Sequence, residues 1–209
     1  MKNDRLIRDM ELRIAKNEGE ETSYRVEGYA STFEPYLMWK DPETKIEYFE
    51  QIDPHAFDST DMSDVVLRID HEGKVYARTS ANDLFVSVDD HGLKTMADLS
   101  RTAEGRSLFE SIAAGHYPKM SFAFTVSGDD FNKETHTRII TKVAKLYDVS
   151  PVSFPANPGT ELDVSTRDYF TGVSEVERAE RLVREEREAK KTELTARIER
   201  LKNGNQRNE

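Results

Sequence analysis

The sequence contains no cysteine. Disulfide frameworks, cysteine nucleophiles and zinc–thiolate sites are therefore all excluded. The side chains that remain for catalysis are serine, histidine and the carboxylates.

Long apolar runs are missing as well. Hydrophobic residues make up 36% of the 209-residue chain, and no run approaches the roughly 18 residues that a membrane span requires. The first residues, MKNDRLIRDMELRI, mix charges among apolar side chains, unlike a signal peptide. We therefore expect a soluble, intracellular protein without membrane contacts, with one domain of about 150 residues and an appendage.

Basic residues are outnumbered, and the chain has a net charge of −10. Residues 171–209 contain ten Lys/Arg and nine Asp/Glu, so the whole negative excess lies in the preceding part of the chain. A body this acidic repels phosphate backbones, so no nucleic-acid partner is expected. A basic partner or substrate would suit it better.

Residues 24–164 contain several short runs in which apolar and polar side chains alternate, the clearest being VVLRIDH, DLFVSV and RIITKVAKLYDV. This period of two predicts β-strands. We expect a mainly β domain with a few helices. So many short strands around one core favour an antiparallel β-barrel, closed or nearly closed.

Two local signals interrupt the strands. The turn DDHG at 89–92 predicts a hairpin in which Gly92 supplies a positive φ. Thr102 can cap the start of a helix whose apolar face follows it, and Gly115 is expected to end that helix.

The two ends of the chain differ from the body. Residues 1–23 are charged and weakly amphipathic, which predicts a loosely held extension. Residues 165–209 are rich in helix formers, which predicts a charged helical tail. Its apolar stripe is interrupted by REEREAKK, so both a solvated helix and a partner-binding helix remain open.

Three strands each present one polar group that could take part in catalysis. His71 ends the VVLRI strand on its apolar face, Ser121 lies on a face of small residues in KMSFAFTV, and Asp148 ends the long RIITKVAKLYDV strand. An inward carboxylate is costly to bury unless it is paired, and an imidazole is a natural partner. Their types match a nucleophile, a general base and an orienting acid.

Five segments together resemble a known family: EGYAST, EQIDPHAFD, LRIDHEG, KMSFAF and LYDVSPVSFPANPGT. Over roughly residues 24–164 the sequence resembles the HK97-type prohead maturation proteases of tailed bacteriophages, which are distantly similar to the herpesvirus assemblins. The resemblance implies a serine peptidase β-barrel at 24–164 that uses no cofactor or metal. It implies Ser121 as nucleophile, His71 as general base and Asp148 as the third member.

The sequence departs from the family pattern at three positions. Glu72 follows the histidine where aspartate is usual, and Ala123 stands where glycine is frequent. Asp148 replaces the commoner glutamate and reaches one methylene less far. By analogy with the assemblins, the oxyanion hole is expected near Ala156 and Asn157, in a segment with prolines at 151, 155 and 158.

The resemblance implies a substrate and a place of action. The substrate would be the scaffolding portion of the major capsid protein, followed by self-cleavage, inside the immature prohead in the host cytoplasm. Partners would be the capsid protein and its scaffolding segment, with possible self-association. The main alternative is a catalytically inactive capsid-assembly module. A metal-dependent hydrolase that uses His71 with Asp70 or Glu72 is a weaker one, because adjacent strand residues point to opposite faces.

Overall fold

The structure is a computed structural model that describes residues 6–14, 24–153 and 164–205. The chain divides into two compact units, residues 1–167 and residues 168–209. The described elements are ten strands, two α-helices and one short 3-10 helix: β1 Leu6–Ile14, β2 Arg25–Thr32, β3 Tyr36–Lys40, β4 Glu47–Ile52, β5 Val66–Ile69, β6 Glu72–Arg78, a 3-10 turn Thr79–Ala81, β7 Leu84–Val88, β8 Gly92–Asp98, α1 Ala103–Ala113, β9 Lys119–Asn132, β10 Thr137–Val152 and α2 Val164–Asn205.

The strands form one sheet in the order β3-β4-β10-β9-β1-β2-β8-β7, with β5 and β6 branching from β10. Most neighbours are antiparallel, but β10 pairs in parallel with β4 near its start and with β5 near its end. The same strand pairs with β9 along its whole length. β10 is therefore the strand on which three separate parts of the chain converge.

The mainly β prediction is confirmed, but the predicted barrel is not found. Among the described residues the sheet is open, because its path ends at β3 on one side and β7 on the other. The two outermost strands are five residues long, and β10 pairs with β9 along one edge and with β4 and β5 along the other.

The core explains why β9 folds as a strand. Met120, Phe122 and Phe124 all belong to the main hydrophobic cluster, and the two phenylalanine rings stack with centroids 4.4 Å apart. The opposite face, with Ser121 and Ala123, is buried as well. The alternation predicts the two faces correctly, and burial of both places this strand in the middle of the sheet.

The first strand is a feature that the sequence did not predict. β1 pairs with β9 through Leu6–Glu11 and with β2 through Leu12–Ile14, so it joins the two halves of the sheet. This part of the predicted loose extension at 1–23 is therefore a strand. Backbone pairing between two long neighbours overrides the weak amphipathic pattern.

The local signals are mostly as predicted. The Thr102 hydroxyl accepts a hydrogen bond from the Gly105 N–H at 2.9 Å, which caps α1, and Gly115 follows the helix with φ +81°. β7 and β8 form the predicted hairpin. Gly92 does not have the positive φ that we predicted. It is required for another reason, because a Cβ there would lie 2.1 Å from the Ser31 carbonyl oxygen.

The predicted C-terminal helix is confirmed as α2, which is 42 residues long. Its large exposed apolar residues are Val176, Leu182, Val183, Leu194 and Ile198. In the described part of the chain, no helix combines the length and apolar character needed to span a membrane.

Candidate active site

We predicted His71 at the end of a strand, but it lies in a tight turn. Ile69 of β5 pairs with Glu72 of β6, which leaves Asp70 and His71 as a two-residue hairpin loop. Both have positive φ, 48° and 60°. Two-residue hairpins favour this geometry because it matches the twist of the strands, and Asp and His tolerate it better than most residues. Because His71 is in a turn, the alternation of faces along a strand does not determine the direction of its imidazole.

The turn is held against the end of β10 by Asp70. Its two carboxylate oxygens accept hydrogen bonds from the Ser153 backbone N–H at 2.8 Å and from the Ser153 hydroxyl at 2.6 Å. The Asp70 N–H in turn donates to the Pro151 carbonyl at 3.1 Å. Three hydrogen bonds thus fix the backbone that carries His71.

Ser121 and Asp148 come from the two long central strands. In the β9–β10 ladder Ser121 faces Ser150, and Ala123 faces Asp148. Residues two apart on a strand share a face, so these four side chains lie together on one face of the sheet. Ala123 contributes only a methyl group, which leaves room for an imidazole beside the serine.

His71 connects the two strands. Its Nδ1 lies 2.6 Å from Asp148 Oδ1 and its Nε2 lies 2.9 Å from Ser121 Oγ. One tautomer satisfies both contacts, with Nδ1–H donating to the carboxylate and Nε2 accepting from the hydroxyl. Asp148 and Ser121 are 0% exposed, whereas the His71 side chain is 11% exposed. A substrate carbonyl can reach Ser121 Oγ only if groups that cover it move.

Burial strengthens the pairing of His71 with Asp148. A buried carboxylate is costly unless it is paired, and the Nδ1–H of His71 supplies that pairing. When Nε2 takes up a proton, Asp148 therefore stabilises the positive charge on the ring. The arrangement can activate a hydroxyl as a nucleophile.

Ser150 is a member of this cluster that sequence reasoning missed. Its hydroxyl donates to Asp148 Oδ1 at 2.9 Å, the same oxygen that His71 contacts, and the residue is fully buried. The signal was available, since Ser150 follows Asp148 by two positions on one strand and therefore shares its face.

The predicted oxyanion residues, Ala156 and Asn157, lie outside the residues that the structure describes. Ser153, which Asp70 holds, is the last described residue before that segment. Asp70 therefore ties the turn that carries His71 to Ser153 at the end of β10.

The other histidines have different surroundings. His55 is largely exposed beside Asp58, His91 packs edge-on against Tyr29, and His136 contacts the Tyr48 ring. His116 lies beyond the end of α1, where its N–H bonds to the helix.

The contacts of His71 argue against the metal-dependent hydrolase considered above. Asp148 and Ser121 contact its two ring nitrogens, and the Asp70 carboxylate is bound by Ser153. Glu72, the other acid of that hypothesis, is exposed.

A serine hydroxyl on an imidazole that is itself held by a buried carboxylate is the arrangement of the serine hydrolases. Comparison with known protein families narrows this class. Residues 10–173 match the family model of the caudovirus prohead serine proteases. The match covers more than half of the chain, so the protein belongs to this family, a group of serine peptidases of phage proheads. No curated protein and no solved structure matches the chain.

Proposed function

We propose that this protein is a serine endopeptidase that cleaves the scaffolding portion of the major capsid protein during head assembly. The observation that carries the proposal is the pair of contacts at His71, 2.6 Å to Asp148 and 2.9 Å to Ser121. The family membership supports the same reading.

Ser121 is the proposed nucleophile and His71 the general base. His71 Nε2 takes the hydroxyl proton as Ser121 Oγ attacks the scissile carbonyl, and backbone N–H groups near Ala156 and Asn157 hold the oxyanion. His71 then gives the proton to the leaving amine as the C–N bond breaks. Water, deprotonated by the same nitrogen, hydrolyses the acyl-enzyme and restores the serine.

Asp148 is the proposed orienting acid. The sequence raised the question of whether aspartate, shorter than glutamate by one methylene, can reach the imidazole. The 2.6 Å contact supports the assignment. Parallel pairing of Asp148 with Val66 at the root of the β5–β6 hairpin brings the turn close enough for the shorter side chain.

The proposed partners are the capsid protein, its scaffolding segment and further copies of this chain. Self-cleavage after capsid processing is part of the proposal, as is action inside the immature prohead in the host cytoplasm. The acidic body suits basic segments of a substrate. The exposed apolar residues of α2, including Val183 and Leu194, support a role of the helix in docking or packaging.

The test is co-expression of the chain with the major capsid protein of the same genome, followed by the intact mass of every product. Wild type is expected to trim the capsid protein at discrete sites, and Ser121→Ala is expected to leave it whole. Ser31→Ala is the matched control, since Ser31 is also a buried strand serine but lies on β2. It should cleave like wild type.

The alternative is an inactive assembly module, which the exposed apolar face of α2 favours. Under that reading shells assemble, and both proteins keep their full mass with wild type and with Ser121→Ala alike. A variant lacking residues 171–209 separates the two functions of the chain. It should impair incorporation into shells more than hydrolysis of a peptide substrate.

A further inference from the structure

The Asp148 carboxylate is shared between two donors. His71 Nδ1 and Ser150 Oγ both contact Oδ1, at 2.6 Å and 2.9 Å. Asp148, Ser150 and Ser121 are all 0% exposed. The nucleophile, the imidazole, the carboxylate and the second hydroxyl therefore form one continuous chain of hydrogen bonds.

The Ser150 hydroxyl orients the Asp148 carboxylate, and that carboxylate in turn orients the His71 imidazole. An aspartate side chain can rotate about two bonds, and its terminal rotation is soft. A hydrogen bond from the same strand restricts this rotation and keeps Oδ1 toward the turn that carries His71. Because Ser150 also faces Ser121 across the ladder, its position is set by the same strand pairing that sets the nucleophile.

The same bond also affects charge. A hydroxyl that donates to a carboxylate spreads its negative charge and favours the ionised form. Because Asp148 is buried, this donor replaces part of the hydration that the carboxylate loses on folding. Without the Ser150 hydrogen bond, the negative charge of Asp148 would attract a protonated His71 ring more strongly.

We propose that Ser150 is a positioning residue of the active site, which orients and stabilises the Asp148 carboxylate so that His71 remains aligned on Ser121. The inference rests on the proposed function. It assigns no contact with substrate to Ser150.

The first experiment measures peptide hydrolysis for wild type, Ser150→Ala, Asp148→Asn and the double variant. Ser150→Ala is expected to lower kcat/KM about 10-fold, the size expected for one hydrogen bond to a charged group. In the Asp148→Asn background the same change should have little further effect, since Ser150 acts through that carboxylate. Equal losses in both backgrounds would overturn the proposal and make Ser150 a packing residue.

The pH profile is a second readout that packing alone would not move. The acidic limb of the kcat/KM profile reports protonation of the general base, His71. Ser150→Ala is expected to shift this limb to higher pH, because an Asp148 carboxylate without its Ser150 donor stabilises the His71 imidazolium more strongly. The charged neighbours along the turn, Asp70 and Glu72, are unchanged in this variant. Ser31→Ala, the buried serine control on β2, should leave the limb in place. An unmoved limb in Ser150→Ala would count against the proposal.

A third readout does not need activity. The imidazole of His71 is titrated by NMR in Ser121→Ala and in Ser121→Ala with Ser150→Ala. The midpoint is expected to rise when Ser150 is replaced, even if the wild type cleaves nothing and the proposed function fails. Identical midpoints would overturn this inference while leaving a protease possible. If Ser150→Ala does not fold, Ser150→Cys keeps the volume with only a weak donor and should shift the midpoint in the same direction.

Discussion

Asp70 holds the turn that carries His71 against the end of β10, and Asp70→Gly should loosen that attachment without disfavouring the turn itself. Glycine adopts the positive φ of this position, 48°, more readily than aspartate does. The variant therefore removes the two hydrogen bonds to Ser153 and leaves the turn type intact. It separates the anchoring of His71 from the formation of the hairpin.

The expected effect on stability is small and the effect on catalysis is large. Two hydrogen bonds to a carboxylate would contribute several kcal/mol if buried, but Asp70 is exposed, so we expect a loss of about 1–2 kcal/mol in the free energy of unfolding. A shift of about 1 Å in His71 would lower the rate roughly 100-fold. Asp70→Asn keeps an acceptor for the Ser153 N–H and should lie between glycine and wild type.

The assay is kcat/KM on a peptide substrate together with urea unfolding of each variant. Asp89→Gly is the matched control, because Asp89 also anchors a hairpin turn, through bonds from Tyr29, His91 and Gly92. It should lose stability and keep its kcat/KM. The reasoning is refuted if Asp70→Gly retains wild-type kcat/KM, or if Asp89→Gly lowers it as much.

Two further predictions concern stability, and a third concerns aggregation. Gly92→Ala places a methyl group 2.1 Å from a main-chain carbonyl of β2 and should lower the free energy of unfolding by about 1–3 kcal/mol, measured in urea. Hydrogen bonds from the Ser63 hydroxyl and the Lys145 ammonium hold the pKa of Asp61 well below its usual range. Because the pKa of Asp61 is lower in the folded than in the unfolded protein, its ionised form stabilises the fold at pH values above the unfolded pKa of about 4. Asp61→Asn should therefore have a lower free energy of unfolding than wild type at neutral pH, and this difference should shrink as the pH falls below about 4. A difference that stays constant with pH would contradict this. Deleting residues 1–14 exposes the edge of β9 and should promote aggregation, which light scattering would detect.

The sequence was most informative where structure is local. Alternation located β9 and β10 and put Ser121 on the correct face of β9, and a single threonine predicted the start of α1. Alternation also put Asp148 on the same face as Leu146, which was wrong: a register shift between these residues sets Leu146 opposite Phe124 but Asp148 opposite Ala123. The same alternation misplaced His71, because a two-residue turn with positive φ has no signature in apolar periodicity. Asp-His is not among the commonest pairs for such turns.

The remaining differences depend on pairings between distant segments. Nothing in the residues of β4 or β5 indicates that both lie parallel to β10, and these pairings accompany the open sheet that replaces the expected barrel. Likewise β1 is a strand because β9 and β2 are available as neighbours. Ser150 could have been found from its spacing to Asp148, but only a ladder shows that it faces Ser121.

The convergence of distant segments on β10 also has a consequence for when the protein becomes active. The contacts of His71 join it to residues 50 and 77 positions away in the chain. Closing such long loops costs entropy that only a nearly complete fold recovers, so contacts of this kind form late. A nascent or partly folded chain would carry the three residues without their alignment. The order of folding would thus delay proteolysis until the domain is complete, with no separate inhibitor needed for that interval.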